Sequence, residues 1–135
     1  METFHYTFKI LESHLDTFGH VNNATYLQLF EEARWDFITQ NGWGLKEVQE
    51  NKLGPVVLEL NLKFKREVNN REIITIRSQA KERLNKLAML LSQEMVKESG
   101  EVAALLELKV GLMDLSKRRL ISPTEEWLKC IGMDL

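Results

Sequence analysis

Twelve positions, Leu15-Asp16-Thr17-Phe18-Gly19-His20-Val21-Asn22-Asn23-Ala24-Thr25-Tyr26, hold the densest group of side chains able to act on a substrate. Asp16 is the only carboxylate among them. Gly19 permits a tight or left-handed backbone, and His20, Asn22 and Asn23 place polar groups just before a helical pattern begins. The first turn of a helix leaves N–H groups unpaired and carries partial positive charge. A carboxylate held opposite such an end faces a ready-made oxyanion site, the minimum equipment for acyl transfer. The plainer reading is that Asp16 braces its own loop by accepting backbone N–H bonds, as Asp does in turns.

Two elements must position this stretch. Ahead of it, Phe4, Tyr6, Phe8 and Ile10 alternate with His5, Thr7 and Lys9, which predicts a half-buried strand. Behind it, Tyr26, Phe30, Ala33 and Phe37 recur at helical spacing. The predicted helix runs from Asn23 to Gln40 and stops at Asn41-Gly42. Asn22 or Asn23 is the expected N-cap, with Thr25-x-x-Gln28 a competing capping box. The apolar surface of this helix is broad, so other elements should surround it.

Downstream, a helical turn over 44–51 precedes strands. Leu58, Leu60, Leu62 and Phe64 form one apolar face; Ile74, Ile76, Ser78 and Ala80 form the next. Leu87, Met89, Leu91 and Met95 form a fourth, and Ala104, Leu106, Leu108, Val110 and Leu112 a fifth. Turns are expected at Asn69-Asn70, Leu84-Asn85 and Ser99-Gly100. Long strands joined by short turns predict an antiparallel meander over the last four. One apolar sheet face must be buried, and the apolar helix is its partner. The expected class is α+β, a curved five-stranded antiparallel sheet around one long helix. Ser122-Pro123-Thr124-Glu125 has the form of a capping box before a short helix packed through Trp127, Leu128 and Ile131. Val56 to Lys65 is a candidate free edge, and pairing with a second copy would protect it.

At 135 residues, 44% hydrophobic and 28% charged, the chain reads as one globular domain over 1–135. A net charge of -2 does not favour nucleic acid. No apolar run has the length of a membrane span, and no secretory signal is visible at Met1-Glu2-Thr3-Phe4-His5. Cys130 is alone, so neither an internal disulfide nor a cysteine metal site is expected. A reduced, cytoplasmic setting follows, and Cys130 reads as a small hydrophobe rather than a nucleophile.

Asp16-x-x-Gly19-His20-Val21-Asn22-Asn23-x-x-Tyr26, followed by Phe30-Glu31-Glu32-Ala33-Arg34, resembles the signature of hotdog-fold acyl-CoA thioesterases. The likeness is to the 4-hydroxybenzoyl-CoA thioesterase-like group, and within it to long-chain acyl-CoA thioesterases. It covers nearly the whole chain, and it implies the hotdog fold, a homodimer or homotetramer, and an active site built between subunits. It implies that Asp16 acts as nucleophile or general base, leaving the two open, and that the Asn23 backbone N–H stabilises the oxyanion. Under it, His20 is a candidate donor to the substrate carbonyl, and Asn22 and Gly19 are candidate positioning residues. A glutamate on this helix is the catalytic group in other hotdog branches, but the register here favours Asp16 over Glu31.

Coenzyme A carries phosphates, so a basic rim is expected; Lys63 and Arg66, with Lys65, or else Lys81, Arg83 and Lys86, are its candidates. No Gly-rich phosphate loop is present, and no metal or redox cofactor is called for. The expected activity is hydrolysis of medium- to long-chain fatty acyl-CoA to free acid and coenzyme A. An acyl-carrier-protein thioesterase and a non-catalytic acyl-CoA-binding domain are the alternatives.

Overall fold

The computed structural model describes residues 1–134. Strand β1 (Thr3–Lys9) leads through a single 3-10 turn (Glu12–His14) to helix α1 (Asn23–Gln40). Helix α2 (Leu45–Asn51) and strands β2 (Leu53–Phe64), β3 (Ile73–Arg83), β4 (Ala88–Lys97) and β5 (Val102–Asp114) follow. Strand β6 (Arg119–Ile121) and helix α3 (Glu125–Cys130) complete the order. The five long strands are those expected from the sequence; β6, three residues paired with β5, adds a short sixth.

The sheet order is β1-β3-β4-β5-β2, antiparallel throughout. The meander expectation therefore holds for β3, β4 and β5 only. β2 does not pair with β3 but crosses to the far side of β5. The connection over 65–72 makes that crossing possible, because the turn at Asn69, closed by Glu72 N donating to Asn69 O at 3.3 Å, sits at its far end. It is not the tip of a β2–β3 hairpin.

α1 begins and ends where the residue pattern places it. Asn22 is its N-cap, with Oδ1 accepting from Ala24 N at 2.9 Å, so the competing Thr25 box is not used. Gly42, at φ +97°, supplies the left-handed residue after its last turn. Tyr26, Leu29, Phe30, Ala33, Phe37 and Ile38 are buried against the concave face of the sheet. α1 lies over β1 and β3, and Phe4 stacks on Phe37 with ring centroids 4.4 Å apart.

The inner faces of β3 and β5 are as expected: Ile74, Ile76, Ser78 and Ala80, and the Ala104-to-Leu112 alternation, are all buried. In β4 the inner face includes Gln93, fully buried, which the apolar pattern skipped. Its Nε2 donates to Phe30 O at 3.0 Å and to Ser78 Oγ at 2.9 Å, and its Oε1 accepts from Arg34 Nη1 at 2.9 Å. A buried amide is tolerated when its donors and acceptor are all engaged. Leu87, expected on this face, lies in the turn before β4 and is exposed, because Asn85 Oδ1 holds that turn by accepting from Leu87 N and Ala88 N.

α3 is capped two residues later than the residue pattern suggested. Thr124, not Ser122, is the N-cap, accepting from Trp127 N at 3.2 Å. The Ser122 hydroxyl instead donates to Lys86 O at 3.2 Å. Trp127, Leu128 and Ile131 are buried as expected. Cys130 is buried too; its thiol lies 3.2 Å from Asn41 O, and burial, with Glu126 and Glu47 nearby, pushes its pKa up. A thiol held neutral in a packed site is a structural residue rather than a nucleophile.

Candidate active site

The segment from Leu15 to Val21 is pinched shut at its base by a backbone bridge between those two residues. Asp16 occupies the start of the enclosed turn. Its Oδ1 accepts from Phe18 N at 2.9 Å and from His20 N at 3.2 Å, its own N–H donates to His20 O at 2.8 Å, and its C=O accepts from Gly19 N at 3.1 Å. Gly19 takes φ +83°, a backbone value that strains a side-chain-bearing residue. The bracing reading of Asp16 is therefore correct for one oxygen. Its other oxygen has no hydrogen-bond partner among the described residues, and the residue is half-buried. Bracing thus occupies one oxygen of the carboxylate and leaves the other unpartnered among the described residues.

The loop then delivers the chain into α1. Asn22 N donates to His14 O at 3.1 Å, which ties the helix start to the 3-10 turn. His14 is itself locked, its Nδ1 accepting from Leu11 N at 2.9 Å. Asn23 is the first residue of α1, and its backbone N–H finds no acceptor among the described residues. It is the kind of donor a developing oxyanion requires.

The structure brings Asp16, Gly19, His20, Asn22 and Asn23 onto one loop-to-helix junction, but it gives their side chains different tasks. The Asn22 oxygen is committed to capping α1. His20 Nε2 stands 3.4 Å from Glu67 Oε1, on the connection between β2 and β3, and both side chains are exposed. His20 therefore joins the loop to that connection. Val21, Asn23, Tyr26, Phe64, Lys65, Arg66 and Glu67 line an open depression beside the helix start. Arg66 lines this depression and pairs with Glu101 at 3.1 Å. Lys63 does not: it alternates with the inward Leu62 and Phe64 and so sits on the convex face. Lys65 stands on the rim instead, because the strand ends at Phe64 and the alternation ends with it. Tyr26 is a packed residue, edge-on to Phe64 at 5.0 Å, and burial beside Glu67 and Glu72 raises its phenol.

Glu31 and Arg34, three apart on α1, do not pair. Arg34 turns inward to Gln93, while Glu31 stays exposed. The apolar run around Phe30 and Ala33 hid this inward cation; the signal that could have found it is Gln93, an uncharged polar residue at an inward strand position. Among the described residues no cluster of His, Cys, Asp or Glu is arranged to hold a metal, and no helix is long and apolar enough to cross a membrane.

A long helix on the concave face of an antiparallel sheet, with an Asp-Gly loop feeding the helix start, defines a class. Residues 11–130 match the thioesterase-like superfamily. The chain belongs to that superfamily as a hotdog-fold thioester hydrolase. It is 32% identical over 115 residues to the long-chain acyl-CoA thioesterase FadM of Escherichia coli strain K12, covering 84% of this chain and 86% of that one. The crystal structure of YbaW, a probable thioesterase from Escherichia coli, superposes with a TM-score of 0.81 at 30% identity, covering 94% of this chain and 95% of that one. The Staphylococcus aureus protein SAV2348, solved in complex with CoA, shares the fold with a TM-score of 0.88 at 20% identity, over 97% of this chain and 82% of that one.

Proposed function

We propose that the protein hydrolyses medium- to long-chain fatty acyl-CoA to the free acid and coenzyme A. The observation that carries the reading is the division of labour in Asp16. One oxygen is held by the Phe18 and His20 N–H groups and the other has no partner among the described residues, and the same loop leads into α1, whose first N–H, at Asn23, has none either. A thioester carbonyl oxygen placed on the Asn23 N–H has its developing charge stabilised by that donor and by the helix end. The free Asp16 oxygen attacks the carbonyl carbon, or takes a proton from the water that does. The C–S bond then breaks and the sulfur leaves as coenzyme A thiolate, which takes up the proton. By the first route a mixed anhydride on Asp16 is hydrolysed by water in a second step; by the second the acid forms directly. Lys65 and Arg66 at the rim suit the phosphates of the coenzyme. The fatty chain is favoured by the likeness to a long-chain enzyme and by the apolar inner face of β2 beside the site.

The same strand supports a homodimer. Leu60 and Phe64 point to the concave side yet remain 43% and 55% exposed, on a sheet edge with free backbone groups. A second copy on that edge would cover them and place its own residues beside the site. A cytoplasmic setting suits a lone, reduced Cys130.

The test is thiol release from a panel of acyl-CoAs, short, long and aromatic, by wild type and Asp16→Asn. That substitution keeps shape and removes the carboxylate. Fatty acyl-CoA turnover that falls by a factor of about 1,000 or more in the variant supports the reading, since loss of a nucleophile or base costs that order. Turnover retained in the variant rejects it. Turnover confined to acyl-carrier-protein thioesters would reassign the carrier. Tight acyl-CoA binding without release would make this a binding domain.

A further inference from the structure

α1 and β2 run side by side in opposite directions, and the seam between them has two dissimilar ends. At one end Tyr26 meets Phe64 beside Asn23 and the basic rim. At the other the seam closes on a cavity of about 80 Å³, walled by Trp35 and Ile38 of α1, Val56 of β2, Leu91 of β4 and Trp127 of α3. Arg34 and Glu31 also line it. Asn23 and Arg34 are about three helical turns apart, so they share one stripe of α1, separated by roughly 16 Å along its axis. A chain whose thioester sits at Asn23 and whose tail follows the seam reaches this cavity only if it is long. At about 10–15 Å³ for each water-sized group, the cavity holds the end of such a chain and not the whole.

The walls are mostly apolar, but three polar groups in them are poorly matched. Arg34 is largely buried, with only Nη1 engaged, on Gln93; no carboxylate pairs with it among the described residues. Burial pulls its guanidinium down from its usual range, and Glu31 opposes that pull without reaching ion-pair distance. The Trp127 indole N–H is buried with no hydrogen-bond partner among the described residues. Buried donors are normally satisfied and buried charges paired, so a site with spare donors, one exposed acceptor at Glu31 and apolar walls is complementary to a particular chemistry. A methyl terminus satisfies none of these groups. A carboxylate would suit Arg34 but meet the charge of Glu31. A hydroxyl accepts from the guanidinium and donates to the carboxylate with one atom.

We propose that this cavity receives the far end of a hydroxylated aliphatic acyl chain, its oxygen accepting from Arg34 and its proton donated to Glu31. The inference deepens the thioesterase reading and rests on it for the placement of the thioester. Arg34 and Glu31 are then specificity residues, remote from the bond that breaks, and their effect belongs in KM more than in kcat.

The experiment compares ω-hydroxyacyl-CoA with plain acyl-CoA at octanoyl, dodecanoyl and hexadecanoyl lengths, using wild type, Arg34→Met and Glu31→Leu, which removes the acceptor. In parallel, the free ω-hydroxy and plain acids are titrated against tryptophan fluorescence, since Trp35 and Trp127 line the cavity. The expected result is a wild-type preference for the hydroxylated chain of about 10- to 100-fold in kcat/KM, carried by KM, as for a hydrogen bond to a charged group. The preference should be greatest near the dodecanoyl length and collapse in both variants. Should Arg34→Met fail to fold because Gln93 loses its partner, Glu31→Leu, altered at an exposed side chain, decides the matter. Equal rates for both series in wild type, or a preference that survives both variants, overturns the proposal. Thiol release without preference sinks this inference alone. A selective fluorescence response without thiol release sinks the thioesterase reading and keeps the cavity assignment. Neither response sinks both.

Discussion

β4 and β2 flank β5 on opposite sides, and their inner faces form common rows across it. Leu91 and Leu60 both register with Leu108, Gln93 and Leu62 with Leu106, and Met95 and Phe64 with Ala104. Leu91 and Met95 are 3% and 0% exposed, whereas Leu60 and Phe64 are 43% and 55% exposed. The two strands have the same alternation, the same partner and the same facing. The difference lies above the sheet: α1 packs over the β1–β3 side and meets β2 only along a seam, where Tyr26 touches Phe64 at one end and the Arg34 cavity lies at the other. Alternation therefore reports which way a side chain faces, and whether anything covers that face is a separate fact. Here the uncovered half is where a substrate and a second copy of the chain would both be accommodated.

The comparison is broken most directly by matched truncations. Leu106→Ala, under α1, should cost about 2–5 kcal/mol in denaturant unfolding. Leu60→Ala, one row and one strand away, should cost little in dilute protein and more as the concentration rises, because its burial depends on a partner. Leu60→Lys should move the sedimentation coefficient toward the monomer. A Leu60→Lys protein that sediments as a dimer would show that another surface makes it.

A smaller effect tests whether α1 sets the boundary. Asn22→Ala removes the side-chain acceptor for Ala24 N and should cost about 1 kcal/mol, with Asn22→Gly costing only a few tenths. Because the cap also fixes where the Asn23 N–H points, turnover in Asn22→Ala should fall more than stability alone explains. Equal activity per folded molecule would detach the cap from the chemistry.

The smallest effect is alkaline. Cys130 sits in the closed core and Tyr26 on the seam, and burial raises both above their ordinary pKa values. The fold favours their neutral forms, so their contribution is complete below the unfolded-state values and is lost as pH rises through the raised ones. The denaturation midpoint should be flat near neutrality and fall in the alkaline range. Cys130→Ala should delay the onset, since a thiol ordinarily titrates below a phenol. An unchanged onset would assign the alkaline loss to the phenols, Tyr26 and Tyr6, both of which burial raises.

Much of this architecture was legible before any coordinates. α1 spans Asn23–Gln40, as its spacing and its Asn41-Gly42 stop indicate, and the inner faces of β3 and β5 follow their alternation residue by residue. The junction around Asp16 and Gly19 was legible too, because turn, cap and helix start are written in consecutive residues. Less visible were features that join distant segments. The passage of β2 to the far side of β5, the inward turn of Arg34 onto Gln93, and the exchange of Lys63 for Lys65 at the rim all depend on where another element ends.

The sequence by itself determined the local conformations, the Asp16 turn and the Asn22 cap among them, since helix periodicity, strand alternation and Asx turns are set by near neighbours and backbone sterics. Tertiary structure decided which of two equivalent strands is covered, which helix cation faces inward, and that α1 and β2 meet along a seam ending at Arg34 and Trp127. Those outcomes arise from packing between residues far apart in the chain, where burial is shared among several elements and no single stretch encodes it.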